Sequence, residues 1–212
     1  MIAARILSAC LIVVATSIAG CLWRATQPTQ FYVLTSLSED HRATPMPGDR
    51  RDLGIGVGPV ELPRYLDRPQ MVIRMSGNAL AMAEFDQWAE PLQESVIRIL
   101  AENLSLLLAT DYVATFPWPR AARLEYQVTV NVTQFEAGPD GEVRLAARWA
   151  VFEAGGKEEL LRNTFTVRLP LESSDYATIV RTMSQSLAAL SQDIAVALRA
   201  SAQSRAGGQG KS

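Results

Sequence analysis

Side chains able to do covalent or metal chemistry are few in this 212-residue chain: two cysteines, Cys10 and Cys21, and one histidine, His41. His41 stands in the stretch Ser36 to Asp52, whose Ser, Asp, Arg, Pro45, Pro47 and Gly48 are turn formers without periodicity. A hydrolase needs a base held against its nucleophile, and no spacing ties His41 to a Ser, Asp or Glu in a triad. Histidines and cysteines do not recur at metal-ligand intervals either. No catalytic, metal-binding or cofactor-binding residue is assigned, no cofactor is expected, and the chain reads as a non-enzyme. Gly54, Gly56 and Gly58 alternate with Leu53, Ile55 and Val57. A dinucleotide loop would require a third glycine and an immediate helix, where Pro59 and Pro63 stand instead. These glycines read as a flat strand face lying close under another backbone or side chain.

The sharpest chemistry belongs to Cys21. Arg5 and the apolar run from Ile6 to Ala15 precede it, and that run is shorter than the roughly 20 residues a spanning helix needs, which makes it a secretory signal. Ile18, Ala19 and Gly20, directly before the cysteine, are similar to the lipobox of bacterial lipoproteins. There the signal is cut before the cysteine, whose thiol takes a diacylglycerol and whose freed amine takes a third chain. Residues 1–20 are then a lipoprotein signal peptide and Cys21 is the lipidation site. The alternative is an ordinary signal peptide with a cysteine near its cut by chance. Buried lipid contributes about 0.8 kcal/mol per methylene and two chains already anchor stably, so an acylated Cys21 would hold the protein on its membrane. Leu22 follows, where inner-membrane retention in enteric-type bacteria usually has Asp, so the resemblance favours the outer membrane.

Removing residues 1–20 leaves 192, enough for one domain with a real core. The formal charge moves from -2 to -3, because only Arg5 is lost from 20 Lys and Arg against 22 Asp and Glu. This balance gives no sign of a nucleic-acid partner. With Cys10 removed and Cys21 acylated, no thiol remains for a disulfide.

Residues 21–30 read as a lipid-anchored tether, 31–200 as the domain and 201–212, with Gly207, Gly208 and Gly210, as a disordered tail. Strands are expected over Phe31 to Leu34, Leu53 to Val60, Met71 to Met75, Ala79 to Phe85 and Tyr112 to Phe116. Pro91 suits a first helical turn, and Leu92, Val96, Ile99, Leu100, Leu104, Leu107 and Leu108 form a stripe to be buried, opposite Glu94, Arg98 and Glu102. Alternation from Leu124 to Val132, Val143 to Val151 and Leu161 to Leu169 predicts an antiparallel meander with one wet face. That face carries Arg123, Arg144, Arg148, Arg162 and Arg168, read as solvated and paired with Glu125 and Glu142. A second helix, capped by Ser173 or Ser174, runs through Tyr176, Ile179, Met183, Leu187, Leu190, Ile194 and Leu198. The fold class is α+β: a two-layer sandwich, mostly antiparallel sheet with a meander in its C-terminal half, covered by two long helices.

YLDRPQMVIR (65–74), FDQWAEPLQESVIRILAENLSLLL (85–108), FPWP (116–119) and RWAVFE (148–153) resemble the PqiC-type auxiliary lipoproteins of ABC transport systems. The resemblance implies a lipoprotein of the inner leaflet of the outer membrane, facing the periplasm. It further implies work with a periplasmic MCE-domain protein and an inner-membrane transporter complex in moving lipids and maintaining envelope integrity. A free-standing carrier of lipid or another hydrophobic ligand is the alternative, and requires an apolar cavity between sheet and helices. Tyr65, Asp67 and Arg68, in a stiff loop ending at Pro69, suit an interface anchor or equally a self-satisfied turn. Trp88 reads as a core plug where the helix starts, and Trp118, flanked by prolines, as the exposed aromatic of an interface. A tether confines the domain to two dimensions, so docking and a homo-oligomer are expected.

Overall fold

Apolar residues at every second position make the two longest-paired strands in the computed structural model, which describes residues 27–43, 51–76, 78–153, 155 and 158–209, with side chains as far as 204. The strands are β1 (Gln30–Tyr32), β2 (Ile55–Glu61), β3 (Gln70–Arg74), β4 (Leu80–Trp88), β5 (Val113–Thr115), β6 (Tyr126–Ala137), β7 (Glu142–Glu153) and β8 (Glu159–Pro170), and the helices are α1 (Leu92–Leu108) and α2 (Tyr176–Gln209). The signal peptide, Cys21, the start of the tether, residues 44–50 of the histidine loop and residues 210–212 lie outside the described residues. The α+β class and the meander β6–β7–β8 stand as expected. The sheet is nevertheless mixed: β1 runs parallel to β4, and β2 runs parallel to both β5 and β6. Parallel pairing joins strands distant in sequence, and neither alternation nor turn residues announce it.

Because β7 pairs with β6 along its whole length, β2 and β3 must share the opposite edge of β6. β2 takes the first half and β3 meets it only where Ile73 faces Ala137, so the sheet forks. A bulge around Thr133 inverts the alternation of β6, placing Val132 and then Phe135 and Ala137 in the core and turning Glu136 to the outer face. Since β5 and β6 are both parallel to β2 and flank it, the chain between them crosses the outer face of β2. The alternating glycines make this possible. A methyl on Gly54 would run into the Arg123 carbonyl, one on Gly56 would lie 2.8 Å from the Leu124 Cδ1, and one on Gly58, at φ +128°, would lie 2.5 Å from the Phe116 Cβ. Arg123 therefore belongs to this crossover and not to the meander face.

The other face is dry. Leu100 and Leu104 of α1, Leu187, Leu190 and Ile194 of α2, and Phe135, Leu145 and Trp149 of the sheet are essentially unexposed, and Trp88 is buried. These side chains occupy the space that a carrier's cavity would need. α1 ends where Ala109 turns left-handed (φ 50°), and Arg199 of α2 donates to the Leu107 carbonyl there. Asp175 caps α2, accepting from the Thr178 N–H at 2.9 Å and from the Ser173 hydroxyl, so Ser173 supports the cap instead of forming it. These bonds hold the Asp175 carboxyl down to about 2. α2 continues to Gln209, through most of the segment expected to be a disordered tail.

Gly54→Ala should cost about 3 kcal/mol in urea unfolding, because the obstacle is backbone that cannot move without breaking the crossover. Leu100→Asp should unfold the domain outright, seen as loss of the far-ultraviolet helix signal, since it buries an unpaired charge among apolar side chains.

Candidate interaction site

The loop from Tyr65 to Pro69 lies in the connection between β2 and β3, which crosses the fork of the sheet on the outer face, where Arg64–Leu66 form one 3-10 turn. Its aromatic is turned toward the sheet. The Tyr65 hydroxyl donates to Glu136 Oε2 at 2.8 Å, Arg74 Nε donates to Oε1 at 2.7 Å, Gln134 Nε2 to Oε1 at 3.0 Å and the Phe135 N–H to Oε2 at 3.0 Å. Glu136 has a side-chain exposure of 0%, and these four donors replace its lost water. The Arg74 guanidinium also lies 5.9 Å over the Tyr65 ring. Burial, and then the bond to Glu136, push the Tyr65 hydroxyl up to about 12.

Arg68 is half-buried and donates to the Met82 sulfur at 2.7 Å, whereas Asp67 is exposed. Within this turn Asp67 and the outer rims of Tyr65 and Arg68 are what a partner could reach. Trp118 is half-buried in the crossover, edge-on to the Phe116 ring at 5.2 Å, and Phe116 is the more exposed of the two at 49%. Gly56 and Glu136 both sit on the side of the sheet away from the buried residues, so turn and crossover share the outer face. His41 is exposed in the short turn Glu39–His41, its Nδ1 3.0 Å from the Ser38 hydroxyl. On the arginine face, Arg144 pairs with Asp140 of the adjoining turn and Arg162 with Glu159, three residues back on β8 itself. Sequence reasoning missed Glu136. Its neighbours in the chain follow the strand pattern, and only the bulge and the fold bring Tyr65 and Arg74 to it.

The segment that follows β1 is secured on the helical side. The Thr35 N–H donates to the Ser184 hydroxyl at 3.1 Å and the Leu37 N–H to Asn103 Oδ1 at 2.8 Å, while Asn103 Nδ2 donates to the Ser191 hydroxyl at 3.1 Å. Leaving β1, the chain is thus bonded to both helices.

Residues 32–195 match the model of the ABC-type transport auxiliary lipoprotein component family. The chain belongs to this family. As an auxiliary lipoprotein of a transport system it is 26% identical over 168 residues to the intermembrane transport lipoprotein PqiC of Escherichia coli (strain K12), covering 77% of this chain and 85% of that one, and equally to PqiC of Shigella flexneri. The crystal structure of protein XCC0632 from Xanthomonas campestris has the same fold, with a TM-score of 0.69 at 18% identity over 84% of this chain and 99% of that one.

A hydroxyl whose proton is held up to about 12 stabilises the auxiliary lipoprotein fully below pH 10 and ceases to do so as the pH rises through 12. Tyr65→Phe should therefore lower stability by about 1–2 kcal/mol at neutral pH and flatten the loss of stability between pH 10 and 12, read by urea titration at each pH. Tyr32, also pushed up to about 12, first by burial and then by its bond to Asp86, accounts for a further part of the alkaline loss.

Proposed function

We propose that this auxiliary lipoprotein is anchored through acyl chains on Cys21 in the inner leaflet of the outer membrane and faces the periplasm. It serves there as a docking subunit of an intermembrane lipid-transport system. Its partners are a periplasmic MCE-domain protein and an inner-membrane transporter complex, and it maintains envelope integrity by assembly and not by catalysis. The observation that carries this reading is the family match over nearly the whole domain, which begins within a dozen residues of a cysteine preceded by Ile18, Ala19 and Gly20.

Tyr65, Asp67, Arg68 and Trp118 are assigned to the contact surface for the MCE-domain partner. Aromatic and arginine side chains held rigid by their own fold lose little entropy on docking.

Mass spectrometry of the mature amino terminus should find Cys21 triacylated, and Cys21→Ser should release the protein from outer-membrane fractions. An unmodified or internal Cys21 overturns the anchor. Asp67→Arg with Trp118→Ala should reduce co-isolation of the crosslinked MCE-domain protein at least tenfold while melting curves stay within about 1 kcal/mol of wild type. Undiminished co-isolation would remove the four residues from the contact surface and leave the anchor standing.

A further inference from the structure

Edge strands that face water are normally guarded by charge. Two edges of this sheet are: Glu90, Glu94 and Glu102 stand along α1 beside β5, and Arg162 and Arg168 stand on β8. β1, at the remaining end, has no such guard, and residues 25–38 carry no charged side chain. Tyr32 turns inward, its ring 6.4 Å from that of Tyr176 on α2 and its hydroxyl donating to Asp86 Oδ1 at 2.9 Å, and Leu34 is buried. Side chains alternate along a strand, so Phe31 and Val33 face away from the helices, at 64% and 47% exposure. No aromatic among the described residues is more exposed than Phe31.

The length of chain before β1 limits what can lie against it. Gln30 follows Cys21 by nine residues (30 less 21). Such a segment reaches about 30 Å at full extension and about 17 Å as a flexible coil. An acylated Cys21 sits at the membrane surface, so the start of β1 is held within that reach of the leaflet. Trp23 lies in the same segment, and tryptophan is a residue of membrane–water interfaces. The backbone sets the depth. The Ala89 N–H donates to the Tyr32 carbonyl at 2.9 Å, so Tyr32 addresses β4 and the N–H and carbonyl of Phe31 address the open side. Open backbone groups must stay hydrated, which keeps β1 at the level of the lipid headgroups and lets only side chains reach the acyl chains.

We infer that the β1 edge is a second membrane contact: Phe31 and Val33 seat in the headgroup region of the leaflet that holds the acyl chains, and the domain lies with that edge down. The inference rests on the proposed acylation of Cys21 and adds an orientation to it. β4 and β3 separate β1 from the turn at Tyr65 to Pro69 by two strand spacings, about 10 Å, so Asp67 and Trp118 stay clear of the lipid for a partner. The contact is apolar and needs no anionic lipid. A protein seated on β1 is the other way to cover it; the leaflet is favoured because the short tether keeps it always within reach.

The test uses the mature acylated chain in vesicles of phosphatidylethanolamine and phosphatidylglycerol, with part of the former replaced by phosphatidylcholine whose acyl chains are brominated near the headgroup. Cys10 leaves with the signal and Cys21 is acylated, so Phe31→Cys, Val33→Cys and Asp67→Cys each supply a single thiol for a fluorescent label. Bromine should quench the labels at 31 and 33 about twofold or more, equally in about 1 M salt, and leave the label at 67 as bright as in unbrominated vesicles. Phe31→Asp added to Val33→Cys should abolish the quenching with the circular dichroism melt unchanged, which separates seating by Phe31 from insertion driven by the label. Should Phe31→Asp fail to fold, Phe31→Ser carries the same expectation. In a chain whose Cys21 is triacylated by mass spectrometry, quenching at 31 no greater than at 67, or quenching at 33 that survives loss of Phe31, overturns the contact and leaves the anchor standing. A label at 31 that is shielded from water yet unquenched identifies a protein on this edge and likewise overturns it. An unacylated Cys21 overturns the anchor and the contact together.

Discussion

A carboxylate with no access to water costs several kcal/mol unless donors and an opposite charge surround it, and Glu136 meets that condition only because separate parts of the fold converge on it. Arg74 comes from β3, Tyr65 from the connection between β2 and β3, and Gln134 and the Phe135 N–H from β6 itself. β3 meets β6 at a single ladder position. Backbone pairing alone would leave the limb of β3, β4 and β1 loosely joined to the rest of the sheet. The buried charge supplies the joint, and it is specific: any slip of β3 along β6 would part Arg74 from Glu136 and strand the charge.

The other limb is held by removal of side chains. Parallel pairing of β5 and β6 on either side of β2 obliges the chain to travel back over a sheet face, and the three glycines of β2 bring that passage within contact distance of the strand. Both long connections consequently lie on the outer face, while α1 and α2 cover the inner one. An auxiliary lipoprotein built this way presents turns tied down by hydrogen bonds and close packing, not loose loops, as its outer surface. Tyr65 and Arg68 have a structural duty there, and the same bonds that stiffen the turn fix the position of Asp67.

On the helical side, buried polar groups carry a different load. Asn103 bonds both the segment leaving β1 and Ser191 of α2, so the amino-terminal segment, the first helix and the last helix meet at one residue. The acidic edge beside α1 and the arginines at β8 lie at opposite ends of the sheet, and a chain with a formal charge of only -2 thereby has a pronounced polarity.

Local rules by themselves determined the meander, the apolar stripes of both helices, the plug at Trp88, the close approach over Gly54, Gly56 and Gly58, and the family. Periodicity, capping types and the need for space beside a glycine are properties of neighbours in the chain, and the motifs from Tyr65 to Glu153 are contiguous words in it. The parallel pairings of β1, β2 and β5, the fork and the passage over β2 were decided only by tertiary structure, because nothing in a strand's own residues states which distant strand it will join. Thr133 shows the limit most sharply. One unpaired residue inverts the alternation of β6, sends Phe135 and Ala137 inward, and leaves Glu136 facing a tyrosine 71 residues and an arginine 62 residues away in the chain. A carboxylate in a strand normally reads as solvent-facing, and burying this one required partners whose meeting depends on the whole fold.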